Sequence, residues 1–480
     1  MVCKNFAYPE LMRFFEEISA IPRPSYHEER IADYLVAFAE QRGLSYYRDA
    51  IGNVLIDLPA TPDCVGAETV LLQGHVDMVC EKNEGVEHDF MSDPLKLYEA
   101  DGWLRAKGTT LGADNGVAVA VMLALLDGAA PSHPALQCLF TVSEEVGLDG
   151  AKAFDYSRVS ARRMINMDSA DESLIIVGCA GGLRSRLSLP IAWEQNDAPA
   201  YTLKISGLAG GHSGEDIHKS RANADKLMGR ILYELERRLS DLRLVSFEGG
   251  SKDNAIVREA QAIVTTTDSS IVRFAEESAR AIGAELVADD RAFSLSIVPV
   301  TAERRMVAAS SDAVIFLAAT VPNGVFATNP ALSGLVEFSR NLGIVETTED
   351  AVSFTFSSRS ARDSQIDWSA AELDLYAKQL GATVKHYNRY PGWSFAEQSA
   401  LREEYVEAYR KLYGNEPHLE VIHAGLECGF IKQAVPDMDI ISCGPIVLDL
   451  HSPDEALHLA SFERFFAVIL AFLDSRKTEA

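Results

Sequence analysis

Seven residues that could do chemistry stand where apolar runs of this 480-residue chain stop. His75 and Asp77 follow TVLLQ, in GHVD. Asp114 lies between GTTLGA and the apolar run GVAVAVMLALLD. Glu144 and Glu145 end LQCLFTV, in SEEVG, and Asp168 ends RRMINMDS. His451 follows DIISCGP, in HSPDE. Imidazoles and carboxylates together suit zinc or manganese. A set with one carboxylate to spare can bridge two ions about 3.5–4 Å apart, polarise a carbonyl and bring a shared water towards a pKa of roughly 7. An adjacent carboxylate that is not a ligand can then take the proton. The EE pair offers both kinds side by side.

Each residue also has a plain reading. His75 could be a hydrogen-bonded core histidine. Asp114 could be a helix N-cap, and EE a solvated turn. HSPDE could start a helix, with Ser452 capping and Pro453 in the first turn. None of these explains why the polar residues gather where strands end. A second group lies mid-chain. His212 sits among glycines in GLAGGHSGEDIH, where backbone can approach a ligand closely. Asn254, in GGSKDNAI, could be a turn residue and Arg359, in SSRSARDS, a surface cation.

These positions require a particular scaffold. The runs at 53–59, 69–73, 136–142, 162–169 and 439–445 read as strands, several apolar throughout, as in a sheet buried on both faces. Residues 9–20 and 27–42 read as helices by their apolar spacing, and 116–127 as a helix buried all round. Ligands of open α/β sheets bind at the carboxyl ends of strands, where the seven residues fall. From about Tyr201 to Tyr390 the strands alternate polar and apolar, with amphipathic helices at 222–240, 270–282, 311–320 and 369–380. That suits an α+β module with one wet sheet face. The reading is an α/β domain built from residues 1–186 and 397–480, interrupted by an α+β insertion at 187–396.

Composition excludes several classes. Hydrophobic residues are 47% and charged residues 24%, ordinary for a globular chain and unlike a disordered one. A formal charge of −26 argues against nucleic acid or an anionic membrane as partner. Seven cysteines, an odd number with no CxxC, point to a reduced compartment. The start, MVCKNFAYPELMRFFEE, lacks the pattern of a signal peptide, and no apolar run spans a bilayer, so a cytoplasmic location is expected.

The stretches IPRPSYHEE, GHVDMVCEKN, RAKGTTLGADNG, SEEVGLDGA, INMDS, GLAGGHSGEDIH, YPGW, IHAGLECG and HSPDEALH occur in order along nearly the whole chain. Together they resemble the M20 metallopeptidases, and among these the aminoacyl-histidine dipeptidases, also called cytosol non-specific dipeptidases or peptidase D. The resemblance implies a di-metal exopeptidase-type catalytic domain with an inserted lid and dimerisation domain. It implies two divalent ions, zinc first with manganese or cobalt as alternatives. His75 and Asp168 would hold one ion, Glu145 and His451 the other, and Asp114 both. Asp77 would orient His75, and Glu144 would be the general base and then acid. A cis peptide would follow Asp114. His212 would stabilise the oxyanion, in many relatives that of a partner subunit. Asn254, Arg359 and Gly425 would contact substrate, with Arg362 an alternative for the substrate carboxylate. Glu427 would meet the substrate's amino group. The implied reaction is hydrolysis of unblocked dipeptides, Xaa-His included, by a water bridging the metals, in a homodimer joined through the lid. The alternatives are an M20 amidohydrolase acting on N-acyl amino acids and a non-catalytic metal-binding dimer.

Overall fold

A computed structural model describes residues 2–3, 6–330 and 335–477 of the chain. The outermost residues of the expected 1–186 and 397–480 segments lie outside these. The chain forms two compact units, Met1–Gly178 with Ser394–Val421 and Leu426–Ala480, and Cys179–Trp393 with Ile422–Gly425. The first crossing falls before the expected position because the long strand Gly181–Pro190 already pairs inside the second unit.

The first unit is built on an eight-stranded sheet. Four strands at its heart are parallel: Leu136–Thr141, Val70–His75, Arg163–Asn166 and Asp439–Ser442. The first two are buried at every residue, which is why they are apolar without alternation. The helix Ala113–Leu126 is buried from Asn115 onward and packs against Pro9–Ser19 and the central strand. It starts three residues before the expected 116, and its first turn is irregular: Asp114 and Asn115 have non-helical backbone angles and the peptide between them is cis. Aromatic rings from the C-terminal helix Leu459–Asp474, Phe462, Phe466 and Phe472, complete this core.

HSPDE does not start that helix. The Ser452 hydroxyl donates to the Asp449 carbonyl at 2.7 Å instead of capping. A short strand, Ala456–His458, then pairs with Trp103–Ala106 before the helix begins at Leu459.

The second unit holds a nine-stranded antiparallel sheet. The helices Ala224–Glu236, Ile271–Glu285, Ala308–Thr320 and Asp363–Leu380 share its core with Leu203, Phe247, Phe354 and Phe356. One strand departs from the expected wet face. Ala351–Ser360 is buried at both parities beyond its first residue. Its four serine hydroxyls are satisfied within the unit: Ser353 by Ser188, Ser357 by Arg184, Ser358 by Ser369 and Ser360 by Gln365. Among the described residues, no helix is long and apolar enough to cross a membrane, and none of the seven cysteines forms a disulfide.

Candidate metal centre

Parallel strands deliver the ligand-type residues to one rim of the first unit. His75 is the last residue of Val70–His75, and Asp168 lies two residues past Arg163–Asn166. Glu144 and Glu145 follow Leu136–Thr141 across a tight turn in which Ser143 has φ of 52°. Asp114 comes from the irregular helix start and His451 from the turn before Ala456–His458. Asp114, Glu144, Glu145, Asp168 and His451, with Ala113, Asn115 and Leu426, line a cleft of about 230 Å³ whose described lining contains no lysine or arginine, and His75 stands behind it.

The geometry at Asp114 is two-sided. Its Oδ1 is 3.0 Å from His75 Nε2 and its Oδ2 is 3.2 Å from His451 Nε2. Asp168 Oδ1 lies 3.7 Å from His75 Nε2, and Glu145 Oε1 lies 3.2 Å from His451 Nε2. Donor atoms therefore converge as His75–Asp114–Asp168 on one side and Asp114–Glu145–His451 on the other, each within 4.8 Å. Asp114 is neither N-cap nor surface carboxylate, since Gly112 takes the cap position. Nor is EE a solvated turn, since the Glu145 side chain is only 8% exposed and both glutamates line the cleft.

Electrostatics mark the same groups. Burial lowers the His75 imidazole, but hydrogen bonds to Asp114, Asp168 and Asp77 win and hold it well above its ordinary pKa. His451 is pushed up to about 10 by Asp114 and Glu145. Burial pushes Glu144 well above the carboxylate range, opposed by His75 and reinforced by Asp168, Glu427 and Glu145. Burial also raises Asp114, but bonds to the two imidazoles outweigh it and hold the carboxyl low. Crowded carboxylates with no basic side chain on the wall need cations. A divalent ion between these oxygens and neutral imidazoles supplies that charge directly. Glu145 Oε1 is buried with no aligned hydrogen-bond donor, as a ligand atom would be. The donor set, two imidazoles and three carboxylates around one shared aspartate, therefore fits a pair of divalent ions.

Asp77 does more than the sequence suggested. Its Oδ1 is 3.3 Å from His75 Nδ1, and it also accepts the Glu144 N–H at 3.1 Å. Its Oδ2 accepts the Glu145 N–H at 3.3 Å and the Ser25 hydroxyl at 2.8 Å. Glu28, buried nearby, accepts both the N–H and the hydroxyl of Ser143, at 2.8 and 2.7 Å. Neither Ser25 nor Glu28 stood out in the sequence, although both lie in IPRPSYHEE.

The sequence of the Peptidase family M20/M25/M40 matches residues 71–475. The chain belongs to this family. It is therefore a metallopeptidase that uses divalent metal. This M20 peptidase is 38% identical over 472 residues to the cytosol non-specific dipeptidase of Escherichia coli K12, covering 96% of each chain. Its fold matches a crystal structure of the aminoacylhistidine dipeptidase from Vibrio alginolyticus, with a TM-score of 0.95, 36% identity and coverage of 99% and 98%. The aminopeptidase PepT of Bacillus cereus shares the fold at a TM-score of 0.58 and 17% identity, over 98% of this chain and all of that one.

The remaining residues singled out in this M20 peptidase belong mostly to the second unit. His212 pairs, within Gly211–His212, with Ala255–Ile256. Its Nδ1 accepts the Glu215 N–H at 3.2 Å, which leaves Nε2 to carry the proton. Burial and the Arg359 charge lower its pKa. Asn254 receives the Ser213 N–H on its carbonyl. Arg359 is only 5% exposed, donates to the Tyr390 hydroxyl at 3.1 Å, and has a buried Nε without a partner. Arg362, by contrast, is exposed and paired with Glu337. Gly425 lies against the Tyr390 ring, where an added Cβ would come within 2.8 Å. In the first unit, Glu427 is fully buried, with Oε2 taken by Gln73 and Thr141. Burial pushes its carboxyl up to about 7. It does not line the cleft, where Leu426 does.

Proposed function

We propose that this chain is a cytoplasmic di-metal dipeptidase acting on unblocked dipeptides, Xaa-His among them. The observation that carries the reading is the Asp114 carboxylate facing one imidazole with each oxygen, with a carboxylate to spare at Glu144. The full-length similarity to the cytosol non-specific dipeptidase supports the substrate class and the location. His75, Asp168 and Asp114 would hold one ion, and Glu145, His451 and Asp114 the other, zinc being the first candidate. Bound there, the ions would polarise the scissile carbonyl and acidify a water between them.

The side chains do the rest. Glu144 takes the proton of the attacking water and returns it to the leaving amine. Asp77 fixes the orientation of His75 and the backbone of both glutamates. His212 Nε2–H donates to the developing oxyanion. The Arg359 guanidinium has no carboxylate of its own within ion-pair distance among the described residues, and binds the substrate carboxylate. Arg362 is committed to Glu337 and does not take that role. Asn254 and Gly425 complete the substrate contacts. Glu427 remains the acidic group of IHAGLECG assigned to the substrate's amino group, which would require its enclosed Oε1 to become accessible. We also propose a homodimer through the second unit, whose helix Asp363–Leu380 exposes Trp368 and Leu375. Light scattering in solution tests it.

The test of function is hydrolysis by metal-stripped enzyme refilled with Zn²⁺ or Mn²⁺. The panel holds β-Ala-His, Ala-His, Gly-Leu, a tripeptide and an N-acetyl amino acid. Metal-dependent cleavage of the dipeptides is expected. Cleavage of the acetylated compound alone makes the protein an amidohydrolase, and no cleavage makes it a binding protein.

A further inference from the structure

One buried carboxylate near the centre has no part in the mechanism above. Glu455, only 2% exposed, aims both oxygens at backbone. Oε2 accepts the N–H groups of Leu111 and Gly112 at 2.8 and 2.9 Å. Oε1 accepts those of Ala113 and Asp114 at 2.9 and 3.3 Å. We propose that Glu455 is a positioning residue whose carboxylate clamps the loop bearing Asp114 and ties it to the turn bearing His451. The inference rests on the di-metal reading, because Asp114 and His451 matter through the ions they would hold.

The clamp is anchored from behind. Glu455 N–H donates to the Ser452 carbonyl at 3.1 Å, closing the turn that begins at His451. Arg105 donates to the Asp454 carbonyl at 2.7 Å, and Ala456 is already paired with Arg105 in a strand. The other side of the Asp114 loop is held by Arg23, also 2% exposed. One guanidinium nitrogen donates to the Gly112 carbonyl at 2.6 Å and another to the Val76 and Asp77 carbonyls at 2.8 and 3.2 Å. N–H groups are thus taken by Glu455 and carbonyls by Arg23. Gly112 has φ of 67°, and a Cβ there would lie 2.5 Å from Arg23 Nη2.

The arrangement demands a carboxylate. Four converging donors need two acceptor oxygens, and a glutamine amide would turn its own N–H₂ towards two of them. Four consecutive free N–H groups at a helix start also favour a negative charge.

The test measures metal rather than turnover. Metal-free parent and E455Q are titrated with Zn²⁺ in competition with a chromophoric chelator, and their Co²⁺ forms are compared by visible absorption. E455Q should bind Zn²⁺ about 10- to 100-fold more weakly and show a shifted Co²⁺ spectrum, with the circular dichroism of the parent. D454N, exposed in the same turn, should match the parent. Should E455Q fail to fold, hydrogen exchange of the metal-free parent decides: the amides of 111–114 should be strongly protected. Parent-like affinity and spectrum in E455Q, or rapid exchange at 111–114 in the folded parent, would overturn the proposal. Neither readout uses a dipeptide, so a wrong substrate assignment leaves both unchanged. A parent that takes up no metal overturns both readings at once.

Discussion

Replacing Glu144 by glutamine isolates proton transfer from metal binding. Of the carboxylates that face an imidazole, Glu144 stands furthest off. Its Oε2 is 4.0 Å from His75 Nε2, against 3.0–3.7 Å for Asp114, Glu145 and Asp168 in their own contacts. Its backbone N–H is held by Asp77, a contact that the exchange leaves intact. The amide keeps shape and volume and removes only the basic oxygen. General acid–base catalysis contributes about 10²- to 10⁴-fold, so the barrier should rise by about 3–5 kcal/mol. The loss should fall on kcat, with KM within a few-fold and metal content equal to the parent. Initial rates on Gly-Leu and β-Ala-His, with elemental analysis of the same sample, measure all three. A kcat within tenfold of the parent at full metal content would refute the base assignment. So would a metal-depleted variant rescued by excess Zn²⁺, which would make Glu144 a ligand.

Other perturbations separate the remaining roles. Arg359→Ala should raise KM for dipeptides about 10- to 100-fold, since a hydrogen-bonded charge contributes about 1.5–3 kcal/mol, and should leave metal content alone. An unchanged KM would remove Arg359 from the substrate site. Zn²⁺ at about 100 times its dissociation constant should stabilise the protein by about 2.7 kcal/mol, and chelation should reverse the calorimetric shift. His423 reports on the second unit. Burial first, then the Arg359 and His212 charges, lower it to about 3, and its Nε2 shares a hydrogen bond with Ser339. The unfolded imidazole takes up a proton near 6.5, which the folded one refuses. The contribution of His423 to stability should therefore fall as pH drops from about 6.5 towards 3. In denaturant titrations H423Q should flatten that slope, and an unaltered slope would show that His423 does not cause it.

The sequence made the centre legible because strand ends are legible. TVLLQ and LQCLFTV place apolar residues on both faces of their strands, since both faces are covered, so the ionisable residue after each run lies at the sheet's rim. What stayed hidden has partners without residue identity. Glu455 and Arg23 bind backbone N–H and carbonyl groups, and no spacing announces such a bond. HSPDE carried a plausible start signal, yet the Ser452 hydroxyl turned back to Asp449 and a strand intervened. Ala351–Ser360 alternates in composition but not in burial, because hydroxyls paired within the unit can be enclosed without loss. Arg359 is enclosed in its strand, whereas Arg362 is exposed and taken by Glu337, which reaches it from 25 residues away.

The two adjacent glutamates show why the turn matters as much as the residue types. Consecutive side chains with equal chemistry can serve different roles only if the backbone sends them apart. Here Glu145 goes to His451 and Glu144 to the His75 side. Ser143, at φ of 52°, makes the turn sharp, and Glu28 holds that conformation through both its N–H and its hydroxyl. Asp77 then takes the next two N–H groups, one on each oxygen, while standing 3.3 Å from the His75 ring. One buried carboxylate thereby sets the orientation of the groups proposed as an imidazole ligand, a carboxylate ligand and the base. Glu455 does the same for Asp114 from the opposite side of the cleft loop. The side chains proposed as ligands and base are therefore aimed by carboxylates that grip backbone, an arrangement that leaves their own oxygens and nitrogens available for cations.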